Sequence, residues 1–333
     1  MPRKNPSERK RGRSSYSFIN VLTGSDLSSR RLALMHIKGK QDGPVVWLTG
    51  AVHGDEVGGM VIIQEIFKEL RKSPLIKGTL YAMPLMNPIG FESGTRGVPL
   101  SEEDLNRSFP GDEHGSIAER MASTIFQTIM RTKPSLVLDL HNDWQASIPY
   151  TLIDPYPGGA HKESYEMVKK LSMRAGFPVI NEKESPEDTD ELKKTLSGSM
   201  LLQNIPSFTF ELGGAYSVHE KHIELGIQAI WNVLEELEMV LPRTAKEHLN
   251  IPQSFKNKIL RYSHEPRADS SGIIRFAVKP GEVVTKGQKV ANIYNVFGKL
   301  QSTLTAPKDG LVLGHADSAV AFPGAEVLAF GTT

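Results

Sequence analysis

A chain of 333 residues, 39% hydrophobic and 23% charged, has room for one large core or for a core and a smaller module, and is balanced like an ordinary globular protein. Its formal net charge of +1 gives no global field that would draw the molecule to nucleic acid or to an anionic membrane. There is no cysteine, so disulfides and thiolate metal sites are excluded, and any metal must be held by histidine and carboxylate.

The first fifteen residues, MPRKNPSERKRGRSS, are basic, contain proline, serine and glycine, and have no apolar segment behind them. They read as a solvated, disordered tail over residues 1–15 rather than a secretory signal, with polyanion contact as the alternative. No run approaches the roughly 18 apolar residues of a membrane span. The expectation is a soluble, cytoplasmic protein with no nucleic-acid or membrane partner.

VVWLTGA (45–51) and TLYAMPLMN (79–87) read as buried strands, and VGGMVIIQEIFKEL (57–70) between them as a helix. SIAERMASTIFQTIM (116–130) reads as a second helix, with Ser116 at the N-cap and Glu119 in the capping-box position. SLVLDLHND (135–143) is then a strand, ESYEMVKKLSMRAG (163–176) a helix stopped by glycine, and SFTFELGG (207–214) a strand. Ile223, Ile227, Ile230, Leu234 and Leu237 step by four and three, the stripe of a helix facing a core. Strands alternating with helices predict an α/β fold with a mixed sheet, centrally parallel and flanked by helices, over residues 16–250.

Beyond VLPRTAKEHLNIPQ (240–253) the helical period is lost, and short strands alternate with turns. Residues 251–333 read as a small all-β module. KPGEVVTKGQKV (279–290) and APKDGLV (306–312) look like the two halves of a lipoyl or biotinyl barrel-sandwich. A carrier would need a modifiable lysine in a Met-Lys-Met or Asp-Lys-Ala hairpin. Neither tripeptide occurs, so the module is expected to cap a neighbouring site.

In an open α/β sheet, ligands gather beyond the carboxyl ends of the strands. His53 and Glu56 follow VVWLTGA, His141 ends SLVLDL, and Glu211 ends SFTF. Two histidines and a carboxylate are a frequent catalytic zinc set, with a fourth position left for water. A lone histidine after a strand is more often a hydrogen-bonded loop residue. Four ionisable groups at successive strand ends are harder to ascribe to packing, because uncompensated buried charge is costly. The helical zinc motif His-Glu-x-x-His is absent.

GAVHGDEVGG, MNPIGFESGTR, DLNRSFPG, LDLHND and FELGG, in this order, resemble the succinylglutamate desuccinylase/aspartoacylase family of the zinc-carboxypeptidase-like superfamily. The likeness covers roughly residues 40–240, and the β-module after 260 fits the family's layout. It implies one zinc ion bound by His53, Glu56 and His141, with Glu211 as general base and proton shuttle. It further implies that Asn106 and Arg107 hold the substrate's carboxylate, that Arg96 polarises the scissile carbonyl, and that Asp104 orients the His53 ring. Arg96 and Arg107 taken without their motifs read as surface ion pairs. No motif fixes a lid tyrosine among Tyr150, Tyr156 and Tyr216. Asp139 and Asp143 read as supports of His141 or as strand-end caps, and Asp55 as a turn residue. The remaining histidines, His264 among them, default to surface or packing roles.

The expected activity is zinc-dependent removal of a small acyl group from an N-acyl amino acid by hydrolysis of a linear amide. Two readings compete: a metallocarboxypeptidase acting on peptides, and a non-catalytic binding protein with the same fold. A binder has no need of Glu211. The acyl group, the amino acid and assembly into a homo-oligomer stay open.

Overall fold

The computed structural model describes residues 14–24, 27–182, 188–243 and 247–333. Residues 1–13 of the expected tail lie outside the described residues, and Ser15 already opens a strand. In chain order the first part comprises β1 (Ser15–Thr23), β2 (Ser29–Lys38), β3 (Gln41–Gly50), α1 (Gly58–Leu70), β4 (Lys77–Met83), α2 (Pro88–Ser93), α3 (Ile117–Met130), β5 (Leu136–Asp143), β6 (Ala146–Ser147) and β7 (Tyr150–Ile153). It continues through α4 (Lys162–Ala175), β8 (Val179–Asn181), α5 (Asp188–Leu192), α6 (Leu196–Leu202), β9 (Ser207–Gly214) and α7 (Glu220–Glu236). Among the described residues only strands follow as regular elements: β10 (Ile259–Ser263), β11 (Gly272–Phe276), β12 (Val283–Val284), β13 (Lys289–Tyr294), β14 (Leu300–Thr305), β15 (Gly310–His315), β16 (Val320–Ala321) and β17 (Leu328–Thr332).

One large mixed sheet runs in the order β1-β2-β4-β3-β5-β9-β7-β8-β10-β17-β15-β12. Its centre, β4-β3-β5-β9, is parallel, as the alternation of strands and helices predicts. The N-terminal hairpin β1-β2, which the sequence reading does not contain, joins antiparallel on one side. β1 is largely exposed, and in β2 only Leu32, Met35 and Ile37 are buried, so neither strand forms a continuous apolar run. On the other side β7 reverses direction against β9, and β8 and β10 follow parallel to β7. β10 and β17 therefore carry the sheet into the C-terminal strands, while β14-β13-β11-β16 form a second, four-stranded sheet.

The central strands are buried on both faces, which explains their continuous apolar runs. Side chains alternate along a strand, so Val46 and Leu48 join one core with Ile62, Ile66, Ile230 and Leu234, whereas Trp47 joins another with Ala122, Ile125 and Met200. Helices α1, α4 and α7 thus cover one face and α3 the other. The capping box at α3 is formed in both directions: Glu119 N–H donates to Ser116 Oγ at 3.2 Å, and Ser116 N–H donates to Glu119 Oε2 at 2.8 Å. Gly176 ends α4 in the left-handed conformation at φ 93°, the stop that the sequence predicts.

After β3 the chain turns through His53, Gly54, Asp55 and Glu56 before α1. Gly54 lies against the backbone of α2, where a Cβ would overlap Gly90 and Phe91. Its N–H donates to the carbonyl of Arg96 at 3.2 Å, tying the turn to the following loop. The absent side chain is what lets His53 and Glu56 pack this close to Arg96. Gly54→Ala is expected to lower stability in urea unfolding by about 1–3 kcal/mol, the usual cost of overpacking. Unchanged stability would mean that α2 moves aside freely.

Candidate metal and active site

His53 and Glu56 come from the turn after β3, and His141 from β5 next to it. All three are buried, and one ligand atom from each lies within 4.8 Å of the others. Glu56 stands in the middle. Its Oε1 is 2.6 Å from His53 Nδ1 and its Oε2 is 2.9 Å from His141 Nδ1. The N–H of Asn142 donates to Oε2 at 2.9 Å, and Arg96 Nη1 lies 3.3 Å from Oε1. Burial alone would raise the Glu56 carboxyl, but the two imidazoles outweigh it and hold the group well below the usual carboxylate range.

The outer nitrogen of each ring is held as well. His53 Nε2 lies 3.1 Å from Asp104 Oδ1, and His141 Nε2 lies 2.9 Å from Asp139 Oδ2. Asp139 is fully buried and accepts from the Thr49 hydroxyl at 2.7 Å across the β3-β5 register. Against its burial, Asp139 and Glu56 push the His141 imidazole well above its usual range. Asp104 caps the short turn Leu105–Arg107 by accepting the Asn106 N–H at 2.8 Å, and Arg96 Nη2 sits 3.3 Å from its other oxygen. Burial opposes ionisation of Asp104, but His53, Arg96 and that N–H hold its carboxyl well below the usual range. Two inward-facing imidazole nitrogens and a carboxylate, each ring backed by a second carboxylate, are a donor set that could hold a metal ion.

These groups open into a cavity of about 370 Å³. Glu211, at the end of β9, lines it beside His141, its register partner on β5. Glu211 Oε2 is buried without a hydrogen-bond partner. Burial raises this carboxyl well above its usual range; His141 opposes the shift, while Asp143, Glu56 and Glu182 add to it. Arg96, Asn106 and Arg107 line the same cavity. Asn106 Oδ1 accepts the Leu196 N–H at 2.9 Å, and Arg107 Nη1 donates to the Asn106 carbonyl at 3.0 Å.

The family comparison follows the same residues. A sequence model of the succinylglutamate desuccinylase/aspartoacylase catalytic domain matches residues 42–237, more than half of the chain. The chain belongs to this family. It is similar to the N-alpha-acetyl-L-2,4-diaminobutyric acid deacetylase of Halomonas elongata, with 25% identity over 280 residues, 81% of this chain and 77% of that protein. Among solved structures, the product-bound ectoine utilization protein EutE (DoeB) of Ruegeria pomeroyi aligns with a TM-score of 0.78 and 21% identity, covering 96% of this chain and 95% of that one. A succinylglutamate desuccinylase/aspartoacylase from Rhodobacter sphaeroides aligns with a TM-score of 0.77 and 22% identity, over 95% and 94% of the two chains. At these identities the structural likenesses show a common fold.

Among the three tyrosines left unassigned, Tyr150 alone lines the cavity; it is buried and donates to Asp143 Oδ2 at 2.7 Å. Tyr156 donates to the Gly159 carbonyl at 3.3 Å outside it, and Tyr216 is 68% exposed with its hydroxyl on Asp55. Several lining residues escaped the sequence reading: Glu182, Ser197, Tyr262, His264 and Glu326. The last three lie beyond the family match, on or between the C-terminal strands. His264 lines the cavity wall as well as packing, with its Nε2 3.1 Å from the Tyr262 hydroxyl and its ring against Trp144. No local motif marks these positions.

Among the described residues, no helix is long and apolar enough to cross a membrane. Asp139→Asn keeps the shape behind His141 but removes its charge, and is expected to weaken metal affinity by about 10–100-fold. Metal titration against a competing chelator measures this; equal affinity in parent and variant would relieve Asp139 of any supporting role.

Proposed function

We propose that this protein is a zinc-dependent hydrolase that removes a small acyl group from an N-acyl amino acid. The observation that carries the reading is the convergence of His53, Glu56 and His141 beside Glu211, whose unpartnered Oε2 belongs to the same cavity. Membership of the desuccinylase/aspartoacylase family and likeness to an N-acetyl-diaminobutyric acid deacetylase support the same reaction class. His53, Glu56 and His141 would hold the zinc ion. When bound, zinc supplies Lewis-acid chemistry and lowers the pKa of a water molecule to about 7.

The chain's own residues do the rest. Glu211 takes a proton from the attacking water at its free Oε2 and returns it to the leaving amine, a role suited to a carboxyl whose proton affinity burial has raised. Arg96 stabilises charge developing on the acyl oxygen. The Asn106 amide and the Arg107 guanidinium hold the substrate's α-carboxylate, for which Arg107's planar fork is well suited. Asp104 and Asp139 keep the two imidazoles oriented. Residues 16–250 act as the catalytic domain. Residues 251–333, a barrel-sandwich-like β-module, close the cavity with Tyr262, His264 and Glu326.

Glu211→Gln is expected to bind zinc at the parent's stoichiometry and to lose about 10²–10⁴-fold in turnover of its N-acyl amino acid. Elemental analysis and a panel of N-acetyl and N-succinyl amino acids check both halves, and near-parental turnover would remove Glu211 from the reaction. The parent should prefer a substrate's free acid over its carboxamide by about tenfold or more in kcat/KM, since charge-assisted hydrogen bonds contribute on the order of 1.5–3 kcal/mol. Arg107→Ala should erase most of that preference. Equal cleavage of acid and amide by the parent would sink the amino-acid reading.

A further inference from the structure

Glu211 keeps an open acceptor among donors. On β9 it is the register partner of His141 on β5 and of Tyr150 on β7. Directly opposed residues of an antiparallel pair rise from the same face with Cβ atoms about 4.5–5.5 Å apart, so the Tyr150 side chain stands beside that of Glu211. Tyr262 lines the same cavity. A buried carboxyl oxygen without a hydrogen bond is costly, and a neighbouring phenol is the natural donor to it. Glu211 Oε2 nevertheless has no partner.

The phenol hydrogens point elsewhere. Tyr150 donates its hydroxyl to Asp143 Oδ2 at 2.7 Å. Tyr262 shares a further hydrogen bond with Tyr150. A phenol carries one hydrogen, and that of Tyr150 is already on Asp143, so Tyr262 is the donor in this pair. The Tyr262 hydroxyl also lies 3.1 Å from His264 Nε2. Since the Tyr262 hydrogen is on Tyr150, this last contact is a hydrogen bond only when His264 Nε2 carries a hydrogen. Asp143 thus fixes the direction of the whole chain: His264 donates to Tyr262, Tyr262 to Tyr150, and Tyr150 to Asp143. The His264 ring is seated for this by Trp144, with ring centroids 6.0 Å apart, and by Glu326, whose Oε2 is 3.5 Å from its Nδ1.

We propose that this ordered chain of donors, running from His264 in the C-terminal module to Asp143, keeps the tyrosine hydrogens off Glu211 and leaves its Oε2 open to the attacking water. Asp143 and His264 act on Glu211 through the two tyrosines and are positioning residues. The inference rests on the deacylase reading and deepens it. A hydrogen bond from a phenol would stabilise the Glu211 carboxylate and weaken it as a base. The chain joins β5, β7 and β10, so the junction of the β-module with the sheet serves the proton acceptor as well as the cavity wall.

The test uses the full chain loaded with zinc, with Asp143→Leu removing the terminal acceptor at similar size. The Tyr150 hydrogen should then turn to Glu211. In infrared difference spectra the Glu211 carboxyl band, identified by its loss in Glu211→Gln, should shift in Asp143→Leu and return in Asp143→Leu/Tyr150→Phe. Asp143→Asn, whose amide oxygen still accepts, should keep the parental band. Turnover of an N-acetyl amino acid, expressed per bound zinc, should fall about tenfold or more in Asp143→Leu, in kcat rather than KM, and the double variant should recover most of it. A merely structural role for Asp143 would not have its kcat per zinc repaired by deleting a hydroxyl. Nitrogen NMR of the parent, which depends on no variant's folding, should find a hydrogen on His264 Nε2, the signal being identified by its loss in His264→Gln. A bare Nε2, an unmoved Glu211 band in Asp143→Leu, or a double variant no faster than the single one overturns the proposal. The expected bands together with no turnover of any N-acetyl or N-succinyl amino acid by the parent keep the donor chain and overturn the deacylase reading.

Discussion

The arrangement of the site depends on one buried carboxylate. Glu56 is 3% exposed, and each of its oxygens faces the Nδ1 of a different histidine. A carboxylate so enclosed is tolerable only where positive charge and donors surround it. The surroundings are drawn from several segments: the Asn142 backbone, Arg96 from the loop after α2, and the two imidazoles. Each imidazole in turn needs an acceptor on its far side, which Asp104 and Asp139 provide. Thr49 then holds Asp139, so the chain of contacts ends in the core of the sheet. A rigid strand pair stands behind the groups that could hold the metal.

That rigidity comes from ordinary packing. β3 and β5 are central, parallel and buried on both faces, so their register is specified by two cores at once. Thr49 faces Asp139 in that register, and His141 faces Glu211 one strand further along. Glycine enters only where backbone must approach backbone, as at Gly54 against α2. The same close approach brings the Arg96 loop over the site.

The reversal of direction at β7 has a different consequence. By turning antiparallel to β9, the sheet can continue through β8 and β10 into the C-terminal strands. Tyr262 and His264, more than a hundred residues from His141, thereby reach the cavity wall. The acidic side chains that line that cavity, Glu56, Asp143, Glu182, Glu211 and Glu326, come from segments distant in sequence.

The amino-acid sequence by itself determined the central strands, the helices α1, α3, α4 and α7, and the gathering of His53, Glu56, His141 and Glu211 at strand ends. Those features are local: a two- or 3.6-residue period, a cap, a glycine stop, or a short motif carries each of them. The motifs also carried the family, which the match over residues 42–237 shows. The hairpin β1-β2 was not legible, because neither of its strands is apolar along its length. Nor were Glu182, Ser197, Tyr262, His264 and Glu326, which have no motif and meet only when β8, β10 and β17 join the sheet. Tertiary structure alone decided which tyrosine faces the cavity and which histidine nitrogen faces Glu56. Both depend on the three-dimensional direction of a side chain, and spacing along the chain does not encode that.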